Sequence, residues 1–198
     1  MIRVFTWIVL GSLPVLGLAQ DWQYAKTEDG IKVYTRSSEL SPVKEFRATG
    51  WVQADPGEVL KALLDFEHYR QWYDHCEKAE LLEKQSDSTM TYYLELAMPF
   101  PFSNRDAVLD LTIQRTEEEI RLSYMRNATA REEIDGVVRM PVSEGIWILK
   151  PKEQGTEVLH QFKGDPAGNV PPSMANLFVV AGPISTLTEL GEYLDRME

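Results

Sequence analysis

Residues 171–197 read PPSMANLFVVAGPISTLTELGEYLDRM, and this C-terminal stretch predicts one long helix. Its apolar side chains recur every three to four residues, which is the spacing of one buried stripe on an α-helix. The stripe consists of Met174, Leu177, Phe178, Ala181, Ile184, Leu187, Leu190 and Leu194. Pro183 lacks the N–H that would bond to the carbonyl of Val179, so we expect a bend there, and Ser173 is the candidate N-terminal cap. A long helix packed across a curved sheet leaves a cavity wherever the facing side chains do not meet.

Most of the chain before this helix alternates apolar and polar residues with the period of two that is typical of β-strands. The predicted strands lie at about 22–25, 31–35, 43–52, 77–86, 89–98, 105–116, 119–127, 137–150 and 156–164. Glu28-Asp29-Gly30 indicates a hairpin turn between the first two. A short helix is expected after Asp55-Pro56, with Asp55 as its cap. A series of strands followed by a long helix, rather than alternating βαβ units, predicts an α+β fold.

Two of the predicted strands have one apolar face each. Tyr92 and Leu94 share a face of the strand at 89–98, and Leu109 and Leu111 share a face of the strand at 105–116. This alternation predicts an antiparallel sheet that is apolar on the inside and solvated on the outside.

Residues 1–19 have the pattern of a secretory signal peptide. Arg3 precedes a mostly apolar run over 4–18, and small residues lead up to Ala19. The pattern predicts cleavage after Ala19 and an exported protein, periplasmic or secreted, with a single domain over 20–198. The alternative is an uncleaved membrane anchor, but the run is shorter than the roughly 20 apolar residues that span a bilayer.

The chain is acidic, with 31 Asp and Glu against 20 Lys and Arg and a net charge of −11. Such a charge repels nucleic acids at long range, so we expect no nucleic-acid partner. Cys76 is the only cysteine, so no intramolecular disulfide can form even in an oxidising compartment.

Several sequence features occur together in the order typical of one family. They are Asp21-Trp22, Gly30-Ile31-Lys32-Val33-Tyr34, Asp55-Pro56 opening a helix, Trp72 at its far end, Asn104-Arg105-Asp106 leading a strand, and the helix over 171–190. From about Trp22 to Leu194 the chain therefore resembles a START domain, the lipid-transfer domain related to the steroidogenic acute regulatory protein, in a bacterial-type, stand-alone form. The chain departs from the eukaryotic type in being shorter and in carrying an export signal.

The resemblance implies a helix-grip fold, in which an antiparallel sheet wraps around the C-terminal helix and encloses a tunnel for one hydrophobic ligand. It also implies a lipid or other hydrophobic small molecule as partner, no catalytic machinery and no cofactor, and we expect a monomer. The candidate wall residues are Tyr92, Leu94, Leu111, Trp147, Phe162, Met174, Phe178 and Ala181. For each of them the alternative is an ordinary position in a filled core.

Arg105 and Asp106 are the candidate polar groups of the tunnel. Arg105 either points into the cavity and holds a head group or carboxylate, or forms a structural ion pair at the start of its strand. Adjacent strand residues face opposite sides, so both cannot enter the cavity. The neighbouring segment 99–104 is either a stiff lip that contacts a membrane or closes the entrance, or a proline-locked turn.

Sequence motifs for catalysis are weak in this chain. His68 and His75 are seven residues apart, which is too far for the usual helical metal pair, so no metal site is predicted. Cys76 next to His75 is interpreted as a structural thiol rather than a nucleophile. Helix-grip folds do include cavity enzymes of the aromatase/cyclase type that use acids and residues such as His160, and this is the alternative function.

Overall fold

The structure, a computed structural model, describes residues 21–197. The strands are β1 Gln23–Glu28, β2 Ile31–Arg36, β3 Glu45–Val52, β4 Cys76–Lys84, β5 Thr89–Leu96, β6 Arg105–Arg115, β7 Ile120–Arg126, β8 Val138–Arg139, β9 Val142–Lys152 and β10 Gly155–Asp165. The helices are α1 Pro56–Leu64, a 3-10 helix over Phe66–Gln71, and α2 Pro172–Asp195. The signal peptide predicted over residues 1–19 lies outside the described residues. None of the described helices is long and apolar enough to cross a bilayer.

The strands form one sheet in the order β1-β2-β3-β10-β9-β7-β6-β5-β4. All neighbours in this order are antiparallel, whereas β8 lies beside β6 in parallel. At the predicted hairpin, Asp29 and Gly30 take the positive φ values of 50° and 77° that a two-residue turn with the right-handed twist of its strands requires. The α+β helix-grip fold is confirmed.

The start of α1 is held by the residues that the sequence predicts. The Asp55 carboxylate accepts hydrogen bonds from the backbone N–H groups of Gly57 and Glu58, at 2.6 and 3.0 Å. The Glu58 side chain in turn accepts from the Asp55 N–H at 2.9 Å. This capping box satisfies backbone donors that a helix start otherwise leaves unpaired.

The long helix α2 confirms the C-terminal half of the predicted stripe but not its N-terminal half. Ile184, Leu187, Leu190 and Leu194 are buried, whereas Leu177 is 70% exposed and Ala181 is also exposed. Phe178 of the predicted stripe does face the cavity, but Ala175 and Val179 accompany it there, because apolar residues lie on two faces and the spacing alone leaves the rotation of the helix open. Ser173 lies inside the first turn, and no side chain caps the helix.

The outer face of the sheet differs from the prediction of a solvated surface. Tyr93, Asp106 and Val108 are 0%, 1% and 0% exposed on that face. The segment 127–141 covers them, and the predicted strand at 137–150 is accordingly divided at Pro141 into β8 and β9. The sheet is therefore covered on both sides near β5 and β6.

Candidate ligand-binding cavity

A cavity of about 160 Å³ lies between the N-terminal half of α2 and the inner face of β3, β5, β6 and β10. Its apolar lining includes Val43, Phe46, Tyr73, Leu96, Met98, Met140, Phe162, Ala175, Phe178, Val179 and Pro183. Its polar lining residues are Lys44, Asp74, His75, Arg105, His160 and Thr186. Apolar walls with a few polar groups are typical of small-molecule sites, although those usually measure roughly 300–1,000 Å³.

The sheet side of the cavity follows from the alternation of β10. His160, Phe162 and Gly164 lie on its inner face, two residues apart. Phe46 on β3 is the register partner of Phe162, and the two ring centroids are 6.0 Å apart. A Cβ at Gly164 would lie 2.6 Å from the ring of Phe162, so the glycine leaves the space that this ring occupies.

The helix side of the cavity is fixed by close contacts between α2 and the segment before β4. The backbone N–H of Asp74 donates a hydrogen bond to the Thr186 hydroxyl at 3.2 Å. A Cβ at Gly182 would lie 3.2 Å from the Asp74 carboxylate, so the helix passes close to it. Farther toward its start, Asn176 accepts from the backbone N–H of Lys44 at 2.8 Å. These contacts place the ring of Phe178 at the cavity, edge-on to His75 at 5.4 Å.

Arg105 lines the cavity and also joins two loops. Its guanidinium donates hydrogen bonds to the backbone carbonyls of Ser103, Pro166 and Ala167, and the residue is 3% exposed. Burial lowers the pKa of Arg105 from its ordinary value, and no carboxylate in residues 21–197 forms an ion pair with it. Arg105 therefore has a structural role through hydrogen bonds to loop carbonyls and not through the expected ion pair, and its contact with a ligand stays a prediction.

Asp106 faces the other side of the sheet, as the alternation of strand residues predicts. Its carboxylate accepts two hydrogen bonds from Arg139, at 2.8 and 3.0 Å, and both side chains are buried. The hydrogen bond to Asp106 raises the pKa of Arg139. The ion pair that the sequence suggested at this strand start therefore exists, but its cation is Arg139 and not Arg105.

Of the nine predicted site residues, Arg105, Phe162 and Phe178 line the cavity. Tyr92, Leu94, Leu111 and Trp147 are buried in the main core, where they correspond to the filled-core alternative. Tyr92, for example, stacks on Phe66 of the 3-10 helix, with ring centroids 4.5 Å apart. Met174 is half-buried outside the cavity, and Ala181 lines a separate surface groove. Whether these six residues contact a ligand is not decided by their positions.

The most informative cavity residue that the sequence did not single out as a wall residue is His160. The alternation of Val158, His160 and Phe162 in one strand was the available signal for its inward position. Its imidazole stacks on the indole of Trp147 with centroids 3.6 Å apart, and its Nε2 lies 2.8 Å from the hydroxyl of Tyr124. Burial lowers the pKa of His160 to about 3, so the ring is neutral at physiological pH.

The other candidate catalytic and metal-binding residues have surroundings that do not favour these roles. Burial raises the pKa of the Cys76 thiol to about 12, the opposite of the change that activates a nucleophilic thiolate. His68 is exposed and paired with Asp65 at 2.8 Å. No group of three or more His, Cys, Asp or Glu within 21–197 is placed to hold a metal ion.

Three comparisons place the chain among known proteins. A family model described as the START domain matches residues 17–196. The crystal structure of a STAR-related lipid transfer protein from Xanthomonas axonopodis is 35% identical, with a TM-score of 0.81 over 88% of this chain and 98% of that chain. The phosphatidylcholine transfer protein of Mus musculus is 28% identical over 163 residues, which are 79% of this chain and 75% of the relative.

An enzyme also shares the fold. The Zhui aromatase/cyclase of a Streptomyces species has a TM-score of 0.54 over 77% of this chain and 93% of that chain, at 16% identity. This likeness shows a common fold and nothing further.

Proposed function

The chain belongs to the START domain family, and from this we propose that it binds a lipid or other hydrophobic small molecule in the cavity beneath α2, for transport or sequestration and without catalysis. The observation that carries the proposal is the mainly apolar cavity between this helix and the sheet. Each 100 Å² of ligand surface removed from water there contributes about 2.5 kcal/mol before the entropic cost of binding.

The size of the cavity limits how such a ligand is held. A volume of about 160 Å³ suits a short chain or one segment of a longer molecule. A larger ligand requires α2 to move outward. Gly182 and Pro183 line the cavity at mid-helix, where the missing N–H of Pro183 weakens the helix, so this pair is our candidate hinge.

Native mass spectrometry of the protein purified from its own host tests the proposal. We expect a hydrophobic molecule to co-purify with a monomeric protein. The mass of this protein is expected to equal that of a chain beginning at Gln20, because export with cleavage after Ala19 removes residues 1–19. A ligand-free protein that takes up no lipid probe would contradict the binding function. An intact N-terminus would contradict cleavage alone.

Replacing Phe178 with glutamate is expected to abolish ligand uptake. The charge would stand at the mainly apolar cavity wall, and an incoming ligand would have to desolvate it. The measurement is binding of a fluorescent fatty-acyl probe, expected to fall at least tenfold in affinity. The matched control is Leu177→Glu, which adds the same charge at a neighbouring position that is 70% exposed. Equal uptake by wild type and Phe178→Glu would refute our placement of the wall.

We further propose that the segment 99–104 contacts membranes transiently during ligand exchange. Phe100 is 96% exposed at its tip, while Phe102 packs beside Val43 and Val170 and the adjoining Met98 lines the cavity. An exposed aromatic side chain next to an apolar cavity is suited to the lipid–water interface.

Phe100→Glu is therefore expected to slow transfer of a lipid probe between zwitterionic vesicles by about three- to tenfold, because burying the new charge opposes membrane contact. The control is Tyr24→Glu, the same kind of change at a 63% exposed aromatic residue on the edge strand β1. An equal decrease in both variants would show that charge alone is responsible.

The alternative function is a cavity enzyme of the aromatase/cyclase type. General acid–base catalysis works best with a pKa near the working pH. The pKa of His160 is lowered to about 3, and burial raises that of Tyr73 well above its ordinary value. These two cavity groups are thus tuned away from proton transfer at neutral pH, which supports binding over catalysis.

A further inference from the structure

His160 lines the cavity and carries a buried polar atom that has no partner in the described protein. Its Nδ1 is buried and forms no hydrogen bond, although the residue is only 2% exposed and lines the cavity. A buried polar group without a partner is destabilising, because it has lost its hydrogen bonds to water. Such a group at the wall of a binding cavity is satisfied when the ligand supplies the missing partner.

The ring is held in one orientation by its neighbours. Trp147 stacks on one side with an interplanar angle of 6°, and Phe46 meets it edge-on at 5.1 Å. Tyr124 reaches it from β7 across the intervening strand β9, at Gly145. A Cβ at Gly145 would lie 2.4 Å from the Tyr124 hydroxyl, so only glycine leaves that path open.

The hydrogen bond to Tyr124 decides which ring nitrogen carries the proton. A phenol O–H is a stronger donor than a neutral imidazole N–H, and an imidazole nitrogen is a stronger acceptor than a phenol oxygen. The hydroxyl of Tyr124 therefore donates to Nε2, and in a neutral ring the proton must then reside on Nδ1. Nδ1–H is then a buried hydrogen-bond donor without a partner, on a residue that lines the cavity.

The surroundings of His160 select an uncharged acceptor. Phe46, Tyr73, Trp147 and Phe162 pack around the ring or beside it. Burial lowers the pKa of His160. A carboxylate brought against these apolar rings would have to give up its hydration, whereas a ketone or ester oxygen would lose little and gain a hydrogen bond.

We propose that the Nδ1–H of His160 donates a hydrogen bond to an uncharged carbonyl oxygen of the bound ligand, such as that of an acyl ester or a ketone. This inference rests on the proposed function, because it assumes that the cavity binds a hydrophobic molecule. It identifies His160 as a specificity-determining residue and an uncharged carbonyl as the ligand group that this residue recognises.

The test compares four probes of similar size: the nine-carbon nonane, methyl heptyl ketone and methyl octanoate, and the eight-carbon octanoate. Dissociation constants are measured for the delipidated protein and for His160→Phe, which keeps an aromatic ring on Trp147 but lacks the donor. We expect the variant to bind nonane within about twofold of wild type and to lose about tenfold in affinity for the ketone and the ester. Wild type is expected to bind octanoate more weakly than the ketone.

The outcomes separate this inference from the proposed function. If wild type takes up none of the four probes, the proposed function fails. If it takes up nonane and the ketone but His160→Phe weakens both equally, the function stands and the role of His160 is refuted. Octanoate binding more tightly than the ketone through His160 would overturn the preference for an uncharged group.

A second readout does not depend on the variant folding. Nitrogen-15 NMR of the wild-type imidazole is expected to show the Nδ1–H tautomer, with the Nδ1 proton shifting when the ketone binds but not when nonane binds. Observation of the Nε2–H tautomer would overturn the inference, because Nδ1 would then be an acceptor.

Discussion

Replacing Asp106 with alanine is expected to lower the free energy of unfolding by about 3–5 kcal/mol, because it leaves Arg139 as an uncompensated buried charge. Asp106 and Arg139 have side-chain exposures of 1% and 4% and share two hydrogen bonds. The same guanidinium donates to the backbone carbonyls of Arg131 and Glu132, at 3.1 and 3.2 Å. The pair therefore fastens the covering segment 127–141 to β6. Urea unfolding monitored by tryptophan fluorescence measures the loss.

Two further variants show whether burial is the reason. Asp87→Ala removes a carboxylate of an exposed ion pair with Lys84, at 2.7 Å, and is expected to cost much less stability than Asp106→Ala, because solvent screens the exposed pair. Asp106→Ala combined with Arg139→Met removes both charges and is expected to be more stable than Asp106→Ala alone. A double variant as unstable as the single one would show that packing rather than the unpaired charge dominates.

Acidification is expected to destabilise the protein through His160. The folded protein holds this ring neutral because its pKa is lowered to about 3, while the unfolded chain takes up the proton below the ordinary value of 6.5. The unfolded state therefore binds more protons, and stability falls as the pH decreases from 6.5 toward 3, by about 1.4 kcal/mol per unit. Between pH 7 and 4.5 the contribution of His160 is roughly 2–3 kcal/mol.

The measurement is the difference between wild type and His160→Phe in urea unfolding at the two pH values. The variant has no group at position 160 that takes up a proton. Between pH 7 and 4.5 its free energy of unfolding is therefore expected to decrease less than that of wild type, and the difference equals the contribution of His160. The matched control is His68→Phe, since His68 is exposed and hydrogen-bonded to Asp65, which raises its pKa. Parallel acid profiles for wild type and His160→Phe would show that the folded ring titrates normally.

The order and bounds of the strands were predictable because they depend on local pattern. The strands predicted at 31–35, 89–98, 105–116 and 156–164 match β2, β5, β6 and β10 to within two residues at each end. Period-two alternation and turn residues are properties of neighbouring positions, so they can be read without knowledge of the partner strand. The capping box at Asp55 was predictable for the same reason.

The face that each strand buries could not be predicted wherever a distant segment covers it. Tyr93 and Val108 lie on the face that the alternation assigned to solvent, and both are 0% exposed beneath the segment 127–141. No periodicity near β5 or β6 indicates that this segment, which follows β7, returns to cover them. The pairing of Asp106 with Arg139 could not be predicted for the same reason, because 33 residues separate the two.

The location of the candidate site could be predicted from the sequence, but only some of the residues that line it could. Phe162, Phe178 and Arg105 lie at the cavity as proposed, while Tyr92, Leu94, Leu111 and Trp147 fill the core next to it. An apolar residue on an inner strand face has the same sequence signal whether it meets another side chain or a void. Only the separation of helix and sheet at each position distinguishes the two cases.

The sequence by itself determined the α+β architecture, the long C-terminal helix and its likeness to START domains, because these depend on local spacing and on residues in a recognisable order. Tertiary structure alone decided the rotation of the first turns of α2, with Phe178 inward and Leu177 outward, and the partners of Arg105 and Asp106. It also placed His160 at the cavity wall and on the ring of Trp147, with Tyr124 at one nitrogen and no partner at the other. These features arise from contacts between segments far apart in the chain, and the free energies of such contacts depend on distances and burial that no local pattern encodes.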